Sequence, residues 1–137
     1  MGCGGDFQQV RLGEMIEFTW DSSGNLQTSA LDLSDAIDLG GANVVAVSIT
    51  PCKVSLGSGV TGVDFNFMTA PINSKSFYAD VKDGGSTVAA TITGDGAVFE
   101  RGEGFSRFFA LMPADTVNGT ATTSTEITAT IDVVVRT

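Results

Sequence analysis

The chain has 137 residues, with 7 Lys+Arg against 16 Asp+Glu and a net charge of −9. That length predicts one domain, long enough to bury roughly two thirds of its unfolded surface without staples. An apolar share of 42% with 17% charged residues argues against disorder, and a sequence pI of 4.1 argues against a nucleic-acid partner, since so few cations cannot neutralise many phosphates. No apolar run reaches the ~18 residues of a membrane-spanning helix, and no secretory signal is read at the start, so no membrane partner is expected. The chain has no histidine, which removes the commonest general base and the commonest metal ligand. The expectation is a soluble, acidic protein that is not an enzyme and carries no cofactor.

The first nine residues are glycine-rich and polar, with Phe7 as their one large apolar side chain. They read as a flexible arm, residues 1–9, ahead of a folded domain over 10–137. Met1-Gly2-Cys3 resembles an acylation start, but Asp6 stands where the pattern wants Ser or Thr, so no lipid is expected. Two cysteines, Cys3 and Cys52, are too few for a disulfide scaffold and are expected to be free thiols.

Val10–Trp20 alternates with period two. Val10, Leu12, Ile16, Phe18 and Trp20 share one face, interrupted by Glu14, and Arg11, Glu17 and Thr19 share the other, which predicts a half-buried strand. Asp21-Ser22-Ser23-Gly24-Asn25 is a turn, and Leu26–Leu33 is expected to return as a strand. One helical turn is expected within Asp32–Asp38 or Ala114–Val117. Asn43–Thr50 is a short apolar run and reads as a strand covered on both faces. Val63–Met68, Ser76–Val81 and Thr87–Thr93 follow as strands, the last two separated by the turn Lys82-Asp83-Gly84-Gly85. Gly94-Asp95-Gly96 is another turn; Arg107–Met112 and Glu126–Arg136 are the closing strands. With 14 Val, 7 Ile and 16 Thr in the chain, β-branched residues favour strands throughout. Eight or nine short strands at roughly ten-residue spacing predict an all-β, antiparallel β-sandwich of jelly-roll or immunoglobulin-like type.

Chemistry is thinly marked. Asp32, Asp35 and Asp38 are hard-oxygen ligand types, but they lack the spacing and glycine of a calcium loop and read as solvated loop residues, so no metal is expected. Gly104-Phe105-Ser106-Arg107-Phe108 begins like a nucleophile elbow; Phe108 replaces its closing glycine and no histidine exists to serve as base. Asn118-Gly119-Thr120 fits a glycosylation pattern but reads first as a hairpin turn. Trp20, Phe77 and Tyr78 are the aromatic candidates for a sugar platform, Trp20 being placed in the core. The adjacent Phe77 and Tyr78 cannot both point inward from one strand. Thr116–Thr130 is threonine-heavy and suits a loop and edge strand that could face another subunit. The partner-binding candidates are Phe7, Gln8, Gln9, Tyr78, Thr122, Thr123 and Thr125.

One run carries a resemblance. Ala36-Ile37-Asp38-Leu39-Gly40-Gly41, leading into Ala42–Pro51, resembles small β-sandwich proteins encoded among the structural genes of tailed bacteriophages. Val63-Asp64-Phe65-Asn66-Phe67, then Leu111-Met112-Pro113-Ala114-Asp115, then the closing Ile131–Arg136 are similar to later segments of that family. Tyr78–Gly84 matches its aromatic stretch loosely, and the first third of the chain has no counterpart. The same run also resembles galactose-binding-like sandwiches. The resemblance implies a virion component on the capsid surface, made in the host cytoplasm: a capsid decoration or cement protein bound to the major capsid protein or another virion protein. A homotrimer suits three-fold positions on a shell. A carbohydrate-binding module and a tail or head-completion protein are the alternative readings.

Overall fold

The computed structural model describes residues 11–40, 46–96 and 98–136. In chain order the strands are β1 (Arg11–Trp20), β2 (Ile37–Asp38), β3 (Ala46–Ser55), β4 (Val60–Ala70), β5 (Ala79–Asp80), β6 (Lys82–Asp83), β7 (Ser86–Thr87), β8 (Ala89–Ile92), β9 (Phe99–Arg101), β10 (Phe108–Pro113), β11 (Asn118–Gly119) and β12 (Ile127–Arg136). Short 3-10 turns occupy Leu33–Asp35 and Lys75–Phe77. All strand pairs are antiparallel. The architecture is an all-β sandwich, as the alternation predicts.

One layer runs β1-β12-β3-β9. The other is built on β4, which pairs β10, β11, β5 and β8, with β2 outside β10. The register of β4 with β10 overlaps its register with β8 and β5, so those two lie on the opposite edge of β4 from β10. The layers meet through aromatic rings. Phe65 of β4 lies 4.9 Å from Phe18 and 6.0 Å from Trp20, both of β1. Around them pack Val47, Ile49, Ile131, Val133, Ile92 and Phe109, all essentially without exposure. Burial of this apolar area is the main stabilising term of the fold.

The four-stranded layer is out of water on both faces at its centre. Val47, Ile49, Val133 and Val135 face the core, while the alternate positions Ala46, Ser48, Asp132 and Val134 are also buried. The apolar run from residue 46 therefore behaves as the doubly covered strand expected of it. The strand extends past the expected end, through Pro51. Proline is tolerated there because β9 stops opposite Ile49, so no ladder bond on that side needs the missing N–H. A bulge at this point shifts the pairing of β3 with β12 between Thr130 and Ile131. It changes the parity of β3, so Pro51 and Val54, three residues apart, both lie toward the core side.

Three expectations are corrected. Leu26–Leu33 is not a strand: after a single bridge from Leu26 to Trp20, the chain leaves the sheet. The side chain of Asp32 accepts from Ser34 N–H and caps the 3-10 turn there, a local bond that competes with extended pairing. Ser76–Val81 is likewise broken into the turn Lys75–Phe77 and the two-residue β5. Cys52 is not a free thiol but disulfide-bonded, and its partner lies outside the described residues. Leu33–Asp35 fulfils the expected helical turn as a 3-10 segment, whereas Ala114–Val117 is not helical. The Lys82–Gly85 turn closes β6 on β7, with Gly84 and Gly85 at φ 61° and 91°, a pair of positive values that side chains resist.

Candidate functional site

β4 is eleven residues long and forms the axis of its layer. At about 3.3 Å per residue its two ends lie roughly 33 Å apart. Different chemistry collects at each end, and a third region sits between them on the outer face.

The loop after β4, residues 71–78, folds on itself. Ser74 N–H donates to Ile72 O at 2.8 Å and Phe77 N–H to Ser74 O at 2.9 Å. The turn fixes the backbone but leaves two large apolar side chains in water: Ile72 is 54% exposed and Phe77 48%. Tyr78, next to Phe77, turns the other way. Its hydroxyl donates to Asn73 Oδ1 at 2.8 Å, and partial burial pushes its pKa up. Asn73 Nδ2 in turn donates to Leu33 O at 3.4 Å, tying this loop to the 3-10 turn at Leu33–Asp35. Of the two adjacent aromatics it is thus Phe77 that points outward.

The three aspartates beside this loop do not converge into one group of potential metal ligands among the described residues. Asp32 Oδ1 accepts from the Ser34 hydroxyl at 2.6 Å and from its N–H, and these bonds hold its pKa below the ordinary value. Burial raises Asp35, with Asp32 adding to the rise. Asp38 faces Arg107 in a two-pronged pair, Nε to Oδ1 and Nη2 to Oδ2, both 3.1 Å. Hydrogen bonds from that guanidinium hold Asp38 low and Arg107 high. Arg107 also lies 5.2 Å from the Phe108 ring centroid. The N–H of Ser106, the elbow-like serine, donates to Thr69 Oγ1 at 2.7 Å.

The threonines gather at the other end of β4. Thr122 N–H donates to Ser58 O at 2.9 Å, and Thr125 N–H to Thr123 Oγ1 at 3.2 Å. They line the loop against the Gly57–Gly59 turn, where φ is +77° and +81° and a Cβ on either glycine would overlap Thr123 or the Thr120 carbonyl. Tyr78 and the threonines Thr122, Thr123 and Thr125 therefore cannot belong to one small interface. Phe7, Gln8 and Gln9, with the arm 1–9, lie outside the described residues. Trp20 is fully buried and gives no sugar platform; its Nε1–H donates to Ala114 O at 3.0 Å. Sequence reasoning missed Ile72, which sits in a polar loop context with no periodicity to mark it.

Between the two ends, the outer face of β4 carries Asp64 and Asn66, which alternate with the buried Val63, Phe65 and Phe67. Asp64 Oδ1 accepts from Thr91 Oγ1 at 2.6 Å and from Asn118 Nδ2 at 3.1 Å. The second bond occupies the amide of the glycosylation-like Asn118, whose residue pairs with β4 as part of β11. Asp64 and Asn66 line a groove of about 350 Å³ together with Ala30, Met112, Pro113, Ala114 and Asp115.

No family model matches the chain, and no curated protein matches it. Among solved structures, a cyanophage Pam1 capsid asymmetric unit is similar at 18% sequence identity and a TM-score of 0.30, over 99% of this chain and 91% of that one.

Proposed function

We propose that this protein is a non-enzymatic structural component of a phage particle, a decoration or cement protein that binds the outer capsid surface. The observation that carries the reading is the pair Ile72 and Phe77, held in water by a loop that is internally hydrogen-bonded. Each side chain is about half exposed, so covering it with a partner surface recovers roughly 0.8–1.5 kcal/mol, half of what full burial from water yields. The loop presents them at one end of a rigid sandwich, the geometry of a plug that seats in a repeated site. Net charge −9 suits a protein made in many copies, because mutual repulsion keeps free copies soluble and off nucleic acid. The family resemblance over residues 36–136 supports the same reading. Three-fold positions on a shell would be filled by a homotrimer.

Quantitative mass spectrometry of purified particles from the source tests the proposal. Hundreds of copies per particle are expected. A handful or a few dozen would move the protein to the neck or tail, and complete absence would end the virion reading. On shells that lack the protein, the double variant Ile72→Ser/Phe77→Ser should fold normally yet lose most of its occupancy. Wild-type occupancy would remove the loop from the interface.

A further inference from the structure

A groove on a sheet face, away from the apolar loop, has a lining that selects its ligand chemistry. We infer that the groove over Asp64, Asn66 and Met112 is a binding site for a neutral, hydroxyl-rich ligand, a sugar of a glycan. The inference stands apart from the capsid reading and needs no capsid partner.

Four observations lead there. First, the volume of about 350 Å³ lies at the lower end of the range of small-ligand sites. Second, among the described residues its lining includes Asp64 and Asp115 and no Lys or Arg, which disfavours phosphate, sulfate and carboxylate ligands. Third, its polar groups complement each other. The carboxylate of Asp64 can only accept, whereas the amide of Asn66 both donates and accepts. A hydroxyl does both and can satisfy the two together. An ammonium or guanidinium only donates and would leave the Asn66 carboxamide N–H groups unanswered on binding. Cross-strand Met112, opposite Asn66 in the register, with Ala30, Pro113 and Ala114, supplies the apolar floor for the C–H face of a pyranose. Fourth, the acceptor is preorganised. Thr91 from β8 and Asn118 from β11 both donate to Asp64 Oδ1, which fixes the carboxylate plane. Among the described residues no hydrogen bond from a protein group is made to Asp64 Oδ2 or to the Asn66 side chain. The groups lie on strands of a rigid sheet, so little ordering is lost on binding. A metal ion fits less well, because no group of three or more carboxylate or other metal-ligating side chains converges among the described residues.

The test is an amide-resolved NMR titration of the full chain with galactose, glucose, mannose and N-acetylglucosamine, each to about 50 mM, well past millimolar affinity. One of the four should shift amides around Asp64, Asn66, Thr91, Met112 and Asp115 in a saturable way. Asn66→Ala and Met112→Ala, which leave the Asp64 bonds intact, should each weaken the response about tenfold or more. Asp64→Asn keeps the shape of the side chain and tests the acceptor. No saturable shift with any sugar overturns the inference. So does a response confined to residues outside the groove, or one that both single variants leave unchanged. A response to calcium chloride or to an oligolysine peptide in place of the sugars would replace it with a cation site. Because the titration contains no particle, its failure leaves the copy-number result untouched, and the reverse also holds.

Discussion

Phe65→Ala tests the central claim about how the two layers are joined. Phe65 is fully buried, and its ring lies 4.9 Å from Phe18 and 6.0 Å from Trp20 across the interface. Truncating a buried phenylalanine costs about 3–5 kcal/mol, through lost burial and the cavity left behind. The two tilted ring pairs push the value toward the upper part of that range, since each is worth about 0.5–1.5 kcal/mol beyond area. A domain of this length holds on the order of 5–15 kcal/mol in total, so the variant should remain folded but marginal. At about 3–5 °C per kcal/mol, a loss of about 4–5 kcal/mol should lower the melting temperature by ~12–25 °C. Trp20 is the single tryptophan and is fully buried beside Phe65, so its emission reports the event directly. Urea unfolding followed by Trp20 fluorescence should show the midpoint shift with an unchanged slope. Phe77→Ala is the matched control: the same deletion at a ring that is 48% exposed should move stability by no more than about 0.5 kcal/mol. If Phe65→Ala cost less than about 1 kcal/mol, or no more than Phe77→Ala, the Phe65 contact would not be what joins the layers.

Three further outcomes follow from the local geometry. Arg107 holds the Asp38 carboxyl below its ordinary value, so the pair stabilises the fold above the unfolded carboxylate range and that contribution fades as pH falls through the lowered pKa. In Arg107→Gln, NMR titration should find the Asp38 pKa moved up toward the ordinary value; an unmoved Asp38 would mean that the pair is absent in solution. Gly59→Ala places a side chain at φ +81° against the Thr120 carbonyl, so it should destabilise by more than the ~1–2 kcal/mol of left-handed strain alone, and a smaller loss in chemical denaturation would contradict the tight turn. Ellman titration of the denatured, unreduced protein should find no free thiol, since Cys52 is disulfide-bonded and the chain has two cysteines; a full equivalent of thiol per chain would refute it.

The strands that were legible from residues alone are those whose burial is set by alternation. Ile16, Phe18 and Trp20 recur every second residue and end up buried between less buried neighbours, as do Ile127, Ala129 and Ile131. Period two survives in any sheet that has one wet face, so it can be read without knowing the partner strands. Gly84 and Gly85 announce their hairpin for an equally local reason, because two positive φ values in a row exclude most side chains. Leu26–Leu33 misled because its composition suits a strand but only Leu26 finds a place to pair. Ile72 carries no pattern that separates an apolar side chain left in water from one headed for the core, and the adjacency of Phe77 and Tyr78 tells only that one of the two points outward. The site chemistry was less legible still. Asp64 receives Thr91 and Asn118 from 27 and 54 residues away, and Asp38 receives Arg107 from 69. Local order and strand faces are written in residue types and their spacing, which constrain neighbours along the chain. The groove, the ion pair and the separation of Tyr78 from the threonines depend on which strands lie side by side, and only the assembled sandwich decides that.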